Sequence, residues 1–219
     1  GVLYNGKINK RLIDSILSKN LQLIINTGRG FSRLEEVFNQ KYLNKFYELI
    51  LVENGAKVVS RNGYVVFKNP IKLDVVEKLK NIDVKDIIFA NYVKNDSNEY
   101  VFYNNSNINY KSDVDYISFI NQAFKDKASR ITFSMSEANQ QKYNHLFKDQ
   151  MQIEVGDRKY FMVSNKGVNK NSAIQYLIKN QNLNETEIVV IGNDYNDISY
   201  FNNCSYKKIA VVDVNTPHE

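Results

Sequence analysis

The sequence predicts an α/β protein: a parallel sheet covered by helices on both faces, with an α+β module inserted into it. Two textures of the chain predict this. In the first and last quarters, short apolar runs at 21–26, Leu49–Val52 and 187–191 alternate with amphipathic segments, and a run that is apolar without alternation is a strand buried on both faces. The middle instead mixes hairpins with helices, as an α+β unit does. A length of 219 residues accommodates a core at 1–59 and 160–219 with an insert at 60–159.

Taken in order, Leu12, Ile13, Ile16 and Leu17 recur at helical spacing. The strand at 21–26 follows and ends in Thr27-Gly28-Arg29-Gly30. Ser32, with Glu35 three residues on, offers a capping box to a helix that has Leu34, Val37 and Phe38 on one face. Leu49–Val52 is a second buried strand and leaves through Glu53-Asn54-Gly55-Ala56. Segments 58–60 and 64–67, joined by Arg61-Asn62-Gly63, read as a hairpin, because Asn-Gly supplies the positive φ values such turns need. Helices at 73–79, 117–124 and 136–147 and strands at 87–93, 99–103, 130–134, 151–155 and 160–163 make up the rest of the middle. Ala173, Ile174, Leu177 and Ile178 then form a helical face, followed by strands at 187–191 and 208–212.

Composition removes several function classes. No apolar run is long enough to cross a bilayer, so no membrane role is expected. A single cysteine, Cys204, excludes an internal disulfide and a cysteine-based zinc cage. The start has no charged segment leading into an apolar stretch, and the expected compartment is the cytoplasm. The net charge of +5 comes from 23 Lys and 6 Arg scattered among acids. Nucleic-acid recognition leans on clustered arginine and aromatic platforms, so no nucleic-acid partner is expected. His145 and His218 lie far apart in sequence and read as surface residues.

In an open parallel sheet, ligands bind where loops leave the carboxyl ends of strands. Thr27 and Gly28, just before a helix, offer a hydroxyl and an approachable N–H to an anionic oxygen. Asn54 leaves the second strand, and Lys170 supplies a compact positive charge at the start of a helix. Asn193, Asp194 and Asp197, in Gly192-Asn193-Asp194-Tyr195-Asn196-Asp197, offer oxygen ligands suited to Mg²⁺. Each alone has a plainer reading. Thr-Gly-Arg and Asn-Gly are common turns, a lysine before a helix is usually solvated, and the two aspartates could cap a short helix. Their joint order, each group at a strand exit, points to a phosphate site.

That order resembles the haloacid-dehalogenase-like superfamily, specifically its Cof-type branch with an α+β cap. Ile24-Ile25-Asn26-Thr27-Gly28-Arg29 looks like the second family motif, Glu53-Asn54-Gly55-Ala56 like the entry to the cap, Val168-Asn169-Lys170 like the third motif and Ile191 to Ile198 like the fourth. The resemblance implies a Rossmann-like parallel core, an inserted α+β cap domain, Mg²⁺ as cofactor and a small phosphorylated metabolite as substrate, in a monomer or homodimer. It implies that Thr27, Gly28, Lys170 and Asn196 bind the phosphoryl group, that Lys170 and Thr27 assist catalysis, and that Asn54 meets substrate. It further implies Asn193 and Asp197 as metal-holding residues, with Asp194 either a ligand or placed behind the ligands. Two departures stand out. Asn193 sits where the family commonly has aspartate, which removes a charge from the metal edge. Gly1-Val2-Leu3 matches only the tail of the first motif, and the two aspartates that precede it in the family have no counterpart in these residues.

The expected activity of the intact protein is Mg²⁺-dependent hydrolysis of a small phosphomonoester, with sugar phosphates the leading class, while the 219 residues as written are expected to be inactive. The rival readings are a phosphomutase of the same fold and a catalytically silent protein that binds a phosphorylated ligand.

Overall fold

The computed structural model describes residues 3–4, 7–94, 98–104, 114–148, 151–156, 160–193, 195–202 and 205–211. The chain divides into two units, Gly1–Phe67 with Asn169–Glu219, and Lys68–Val168. No helix among the described residues is long and apolar enough to cross a membrane.

The first unit opens with the short antiparallel strands β1 (Leu3–Tyr4) and β2 (Lys7–Ile8), then α1 (Lys10–Leu17), whose first turn is capped by the Asn9 side chain. Two short helices follow, α2 (Phe31–Glu35) and α3 (Gln40–Leu43). The capping box expected at Ser32 does not form. Helix α2 starts two residues earlier, with Gly30 at its N-cap position and the Phe31 ring buried against Gly63. Strand β3 (Leu49–Val52) is buried throughout and continues into the antiparallel hairpin β4 (Lys57–Ser60) and β5 (Val65–Lys68). The hairpin turn forms at Asn62-Gly63, but of the pair only Gly63 takes a positive φ, +82°.

The second unit carries α4 (Leu73–Leu79), β6 (Phe89–Lys94), β7 (Asn98–Tyr103), α5 (Tyr116–Lys125), β8 (Ile131–Ser134), α6 (Glu137–Phe147), β9 (Met151–Gly156) and β10 (Tyr160–Asn165). Its five strands form one antiparallel sheet in the order β7-β6-β8-β10-β9. Ala90, Tyr92, Phe102, Phe133 and Phe161 point from one face of that sheet into a core shared with α4, α5 and α6. The first unit resumes with α7 (Lys170–Gln181), β11 (Val189–Gly192), α8 (Ile198–Asn202) and β12 (Lys207–Ala210). Ala173, Ile174 and Leu177 of α7 pack against Leu49 and Leu51 of β3 and Val190 of β11.

Two expectations need correcting. Pairing, rather than apolar texture, sets the unit limits, which fall at 67/68 and 168/169 instead of 59/60 and 159/160. Strand β5 hydrogen-bonds to β4 in the first unit, and β10 lies between β8 and β9 in the second. Nor is the expected Rossmann-like parallel sheet seen as one continuous sheet. Among the described residues, parallel pairing is confined to β11 with β12 and to a bridge between Asn26 and Leu51. The run at 21–26 is an extended segment joined to β3 by Thr27 N–H to Leu51 O and Leu51 N–H to Ile25 O, both 2.9 Å. The larger sheets are instead built from antiparallel pairs.

Candidate active site

Within the first unit, the loops that leave the Asn26 bridge and β3 are joined through the backbone. Asn54 N–H donates to Thr27 O at 3.0 Å, and Glu53 N–H donates to Arg29 O at 3.0 Å. Three consecutive residues, Glu53, Asn54 and Gly55, have positive φ values of 54°, 55° and 90°. Two of them are not glycine, and each such residue costs on the order of 1 kcal/mol or more, strain that accumulates where geometry matters for function. The turn is held by a fully buried ion pair, Lys57 Nζ to Glu53 Oε1 at 2.9 Å. Close approach explains the glycines. A Cβ on Gly28 would lie 2.6 Å from Asn54 Oδ1, and one on Gly55 would lie 2.1 Å from the carbonyl oxygen of Asn169.

Asn169 caps α7 and forms a reciprocal capping box with Ser172, which places Lys170 in the first turn. Lys170 is buried, and its ammonium donates to Asp197 Oδ1 at 2.6 Å and Asn196 Oδ1 at 3.0 Å. Asn196 in turn donates through Nδ2 to Asn54 Oδ1 at 3.2 Å, closing a chain of contacts from Gly28 to Lys170. Asp197 is also buried, and its other oxygen, Oδ2, accepts the Asn193 N–H at 2.8 Å. Gly192 allows this fold-back, since a Cβ there would sit 2.5 Å from Asp197 Cβ. Burial opposes the charge on Asp197, but the Lys170 charge and the hydrogen bonds from Lys170, Tyr200 and the Asn193 N–H outweigh it and hold the carboxyl below the usual carboxylate range. Burial and the Asp197 charge both push the Tyr200 hydroxyl up.

The structure thus brings together Gly28, Asn54, Lys170, Asn193, Asn196 and Asp197. Thr27 is next to Gly28, and its hydroxyl accepts the Arg29 N–H at 3.1 Å. Asp194 lies outside the described residues. Two residues escaped sequence reasoning. Asn26 donates its side-chain amide to Lys170 O at 2.9 Å, while its buried Oδ1 has no partner among the described residues. Its signal was present, a polar side chain ending an apolar run. Tyr200 donates its hydroxyl to Asp197 Oδ1 at 2.6 Å, a contact that sequence spacing alone could not separate from ordinary packing.

Residues 4–211 match the model of a family described as haloacid dehalogenase-like hydrolase. The chain belongs to this family. The chain is 26% identical over 215 residues to an uncharacterized protein of Mycoplasma capricolum, a match covering 89% of this chain and 79% of the relative. It is 26% identical over 210 residues to a protein of Buchnera aphidicola provisionally named a phosphatase, covering 89% and 75%. The solved structure of a subclass IIB sugar phosphatase of the superfamily shares its mixed α/β fold, with TM-score 0.72 and 19% identity over 93% of this chain and 80% of that one.

A hydrolase of this family is expected to use Mg²⁺, but the described donors alone do not fit that ion. Asn193 offers a neutral amide oxygen, and both carboxylate oxygens of Asp197 already accept hydrogen bonds. No group of three His, Cys, Asp or Glu side chains suited to a metal occurs among the described residues. Mg²⁺ favours one or two carboxylates with water and phosphate oxygens.

Proposed function

We propose that the intact protein is a phosphatase that hydrolyses a small phosphomonoester, with sugar phosphates as the leading substrate class. The observation that carries this reading is the buried ammonium of Lys170, aimed by Asp197 and Asn196 and linked through Asn54 to Gly28. A preset cation beside approachable backbone suits an oxyanion, because charge-assisted contacts that need no reorganisation stabilise the charge on a transferring phosphoryl group. In this reading Lys170 offsets that charge, Thr27 and the Gly28 N–H donate to its oxygens, and Asn196 orients it. The second unit would act as the cap that excludes water and selects the substrate. The sugar-phosphatase fold neighbour supports the substrate class.

Hydrolysis through a carboxylate nucleophile splits one hard displacement into two steps. In the family an Asp-x-Asp pair supplies that nucleophile and the acid/base, and Gly1-Val2-Leu3 resembles the tail of that motif. In this reading Mg²⁺ would need carboxylates beyond those described, to which Asn193 could add only a neutral amide oxygen.

The complete reading frame tests the proposal. Its product should release phosphate from p-nitrophenyl phosphate and a hexose phosphate. Asp197→Ala should lose more activity than Asp194→Ala, because Asp197 aims Lys170. A frame without the aspartate pair would sink the enzyme reading and leave a phosphate-binding protein. Transfer of phosphate within the hexose, rather than its release, would mark a phosphomutase.

A further inference from the structure

We propose that Tyr200 is a positioning residue, which fixes the Asp197 carboxylate so that Lys170 Nζ stays aimed between Asp197 and Asn196. The assignment concerns the same site as the proposed function and rests on Lys170 being its working cation.

The hydroxyl is what needs explaining. The Tyr200 ring is buried among Ala173, Ile174 and Leu177 and meets Phe201 edge-on at 5.6 Å, and a phenylalanine would fill the same space. A buried hydroxyl costs free energy unless it is bonded. This one is bonded to Asp197 Oδ1 at 2.6 Å, the atom that also accepts from Lys170 at 2.6 Å. With the Asn193 N–H on Oδ2 at 2.8 Å, donors from three directions stop the carboxylate from rotating about its Cβ–Cγ bond. Asp197 joined only to Lys170 could turn and follow the flexible four-carbon stem. The hydroxyl pins Asp197, and Asp197 pins the ammonium. The same saturation turns Asp197 towards Lys170 and away from direct coordination of a cation.

The test uses the 219-residue chain labelled at its lysine ammonium groups and observed by NMR. The Lys170 signal is the one lost in Lys170→Met. In the wild type it should exchange its protons slowly. In Tyr200→Phe that exchange should accelerate by roughly tenfold, the scale of one hydrogen bond to a charged group, while the other lysines are unchanged. If Tyr200→Phe does not fold, Tyr200→Met is read in the same way. Exchange at Lys170 unchanged within about twofold, or raised equally at all lysines, would overturn the proposal. Calorimetry with inorganic phosphate separates this from the functional reading. If phosphate binds, Tyr200→Phe should weaken it roughly tenfold in the wild-type background and not further in Lys170→Met. If the wild type binds no phosphate, the functional reading fails and the exchange rates still decide the role of Tyr200.

Discussion

Both units of the molecule contain lysine, aspartate and tyrosine joined at one carboxylate, and the clusters of the two units differ in burial. In the second unit, Asp126 accepts from Tyr92 at 2.7 Å and pairs with Lys94 at 3.4 Å, and Asp86 accepts from Tyr143 at 2.7 Å and Lys142 at 2.8 Å. Their lysines are in solvent, with side-chain exposures of 37% and 56%. In the first unit, Lys170 and Asp197 are 8% and 6% exposed, and Asn196 shares the ammonium. Identical chemical parts therefore do different things. With the lysine in water, the carboxylate receives a tyrosine and staples one element to another. With the lysine buried, the cluster stores a charge that water does not screen, at a helix start next to a strained turn.

The largest effect should come from removing the buried cation. Lys170→Met leaves the Asp197 charge with only hydrogen bonds to balance it, and breaking a buried pair in this way costs about 3 kcal/mol. Lys94→Met, at the exposed counterpart, should cost no more than about 0.5 kcal/mol. Urea titrations of the two variants measure the difference. Equal midpoints would show that burial does not distinguish the clusters.

A smaller contrast comes from two glycines, one in each unit. Gly192→Ala would put a Cβ 2.5 Å from Asp197 Cβ and 2.7 Å from its Oδ2, so the carboxylate must shift off the Asn193 N–H. That overpacking should cost about 2 kcal/mol. Gly167 has φ +81° but nothing within 4 Å of a Cβ, so Gly167→Ala pays only for backbone strain, about 1 kcal/mol. Thermal melts should rank them in that order, and a harmless Gly192→Ala would show that the Asp197 fold-back is loosely held.

The site was more legible in the sequence than the sheets that carry it. Thr27, Gly28, Asn54, Lys170 and Asp197 group together on sequence alone because each comes soon after an apolar run, and Asn62-Gly63 marks its hairpin through turn chemistry. What an apolar run pairs with is a different matter. Residues 160–163 and 188–191 have similar local texture, yet β10 joins an antiparallel sheet and β11 a parallel pair. Pairing is decided by contacts far along the chain, which periodicity does not record. Asn26 and Tyr200 were missed for the same reason. The first acts on a carbonyl 144 positions away, and the second matters only because α8 turns its hydroxyl back onto Asp197.

The smallest expected effect is on the pH dependence of the exposed type of cluster. At Asp126 burial opposes the charge, but hydrogen bonds from Tyr92, Gln122 and Lys94 outweigh it and hold the carboxyl below the ordinary range. The unfolded chain, with aspartate near about pH 4, therefore binds this proton more readily than the folded protein. Its contribution to stability is complete above that value and is lost as pH falls through the lower folded-state value. Asp126→Asn should consequently melt below the wild type at neutral pH, and the gap should close on acidification to about pH 3. Because Lys94 is in solvent, added salt should narrow the neutral-pH gap as well, which a buried pair would resist. A gap that persisted unchanged in acid would mean that Asp126 acts through its shape and its bond to Tyr92 alone, and the exposed cluster would then owe nothing to its charge.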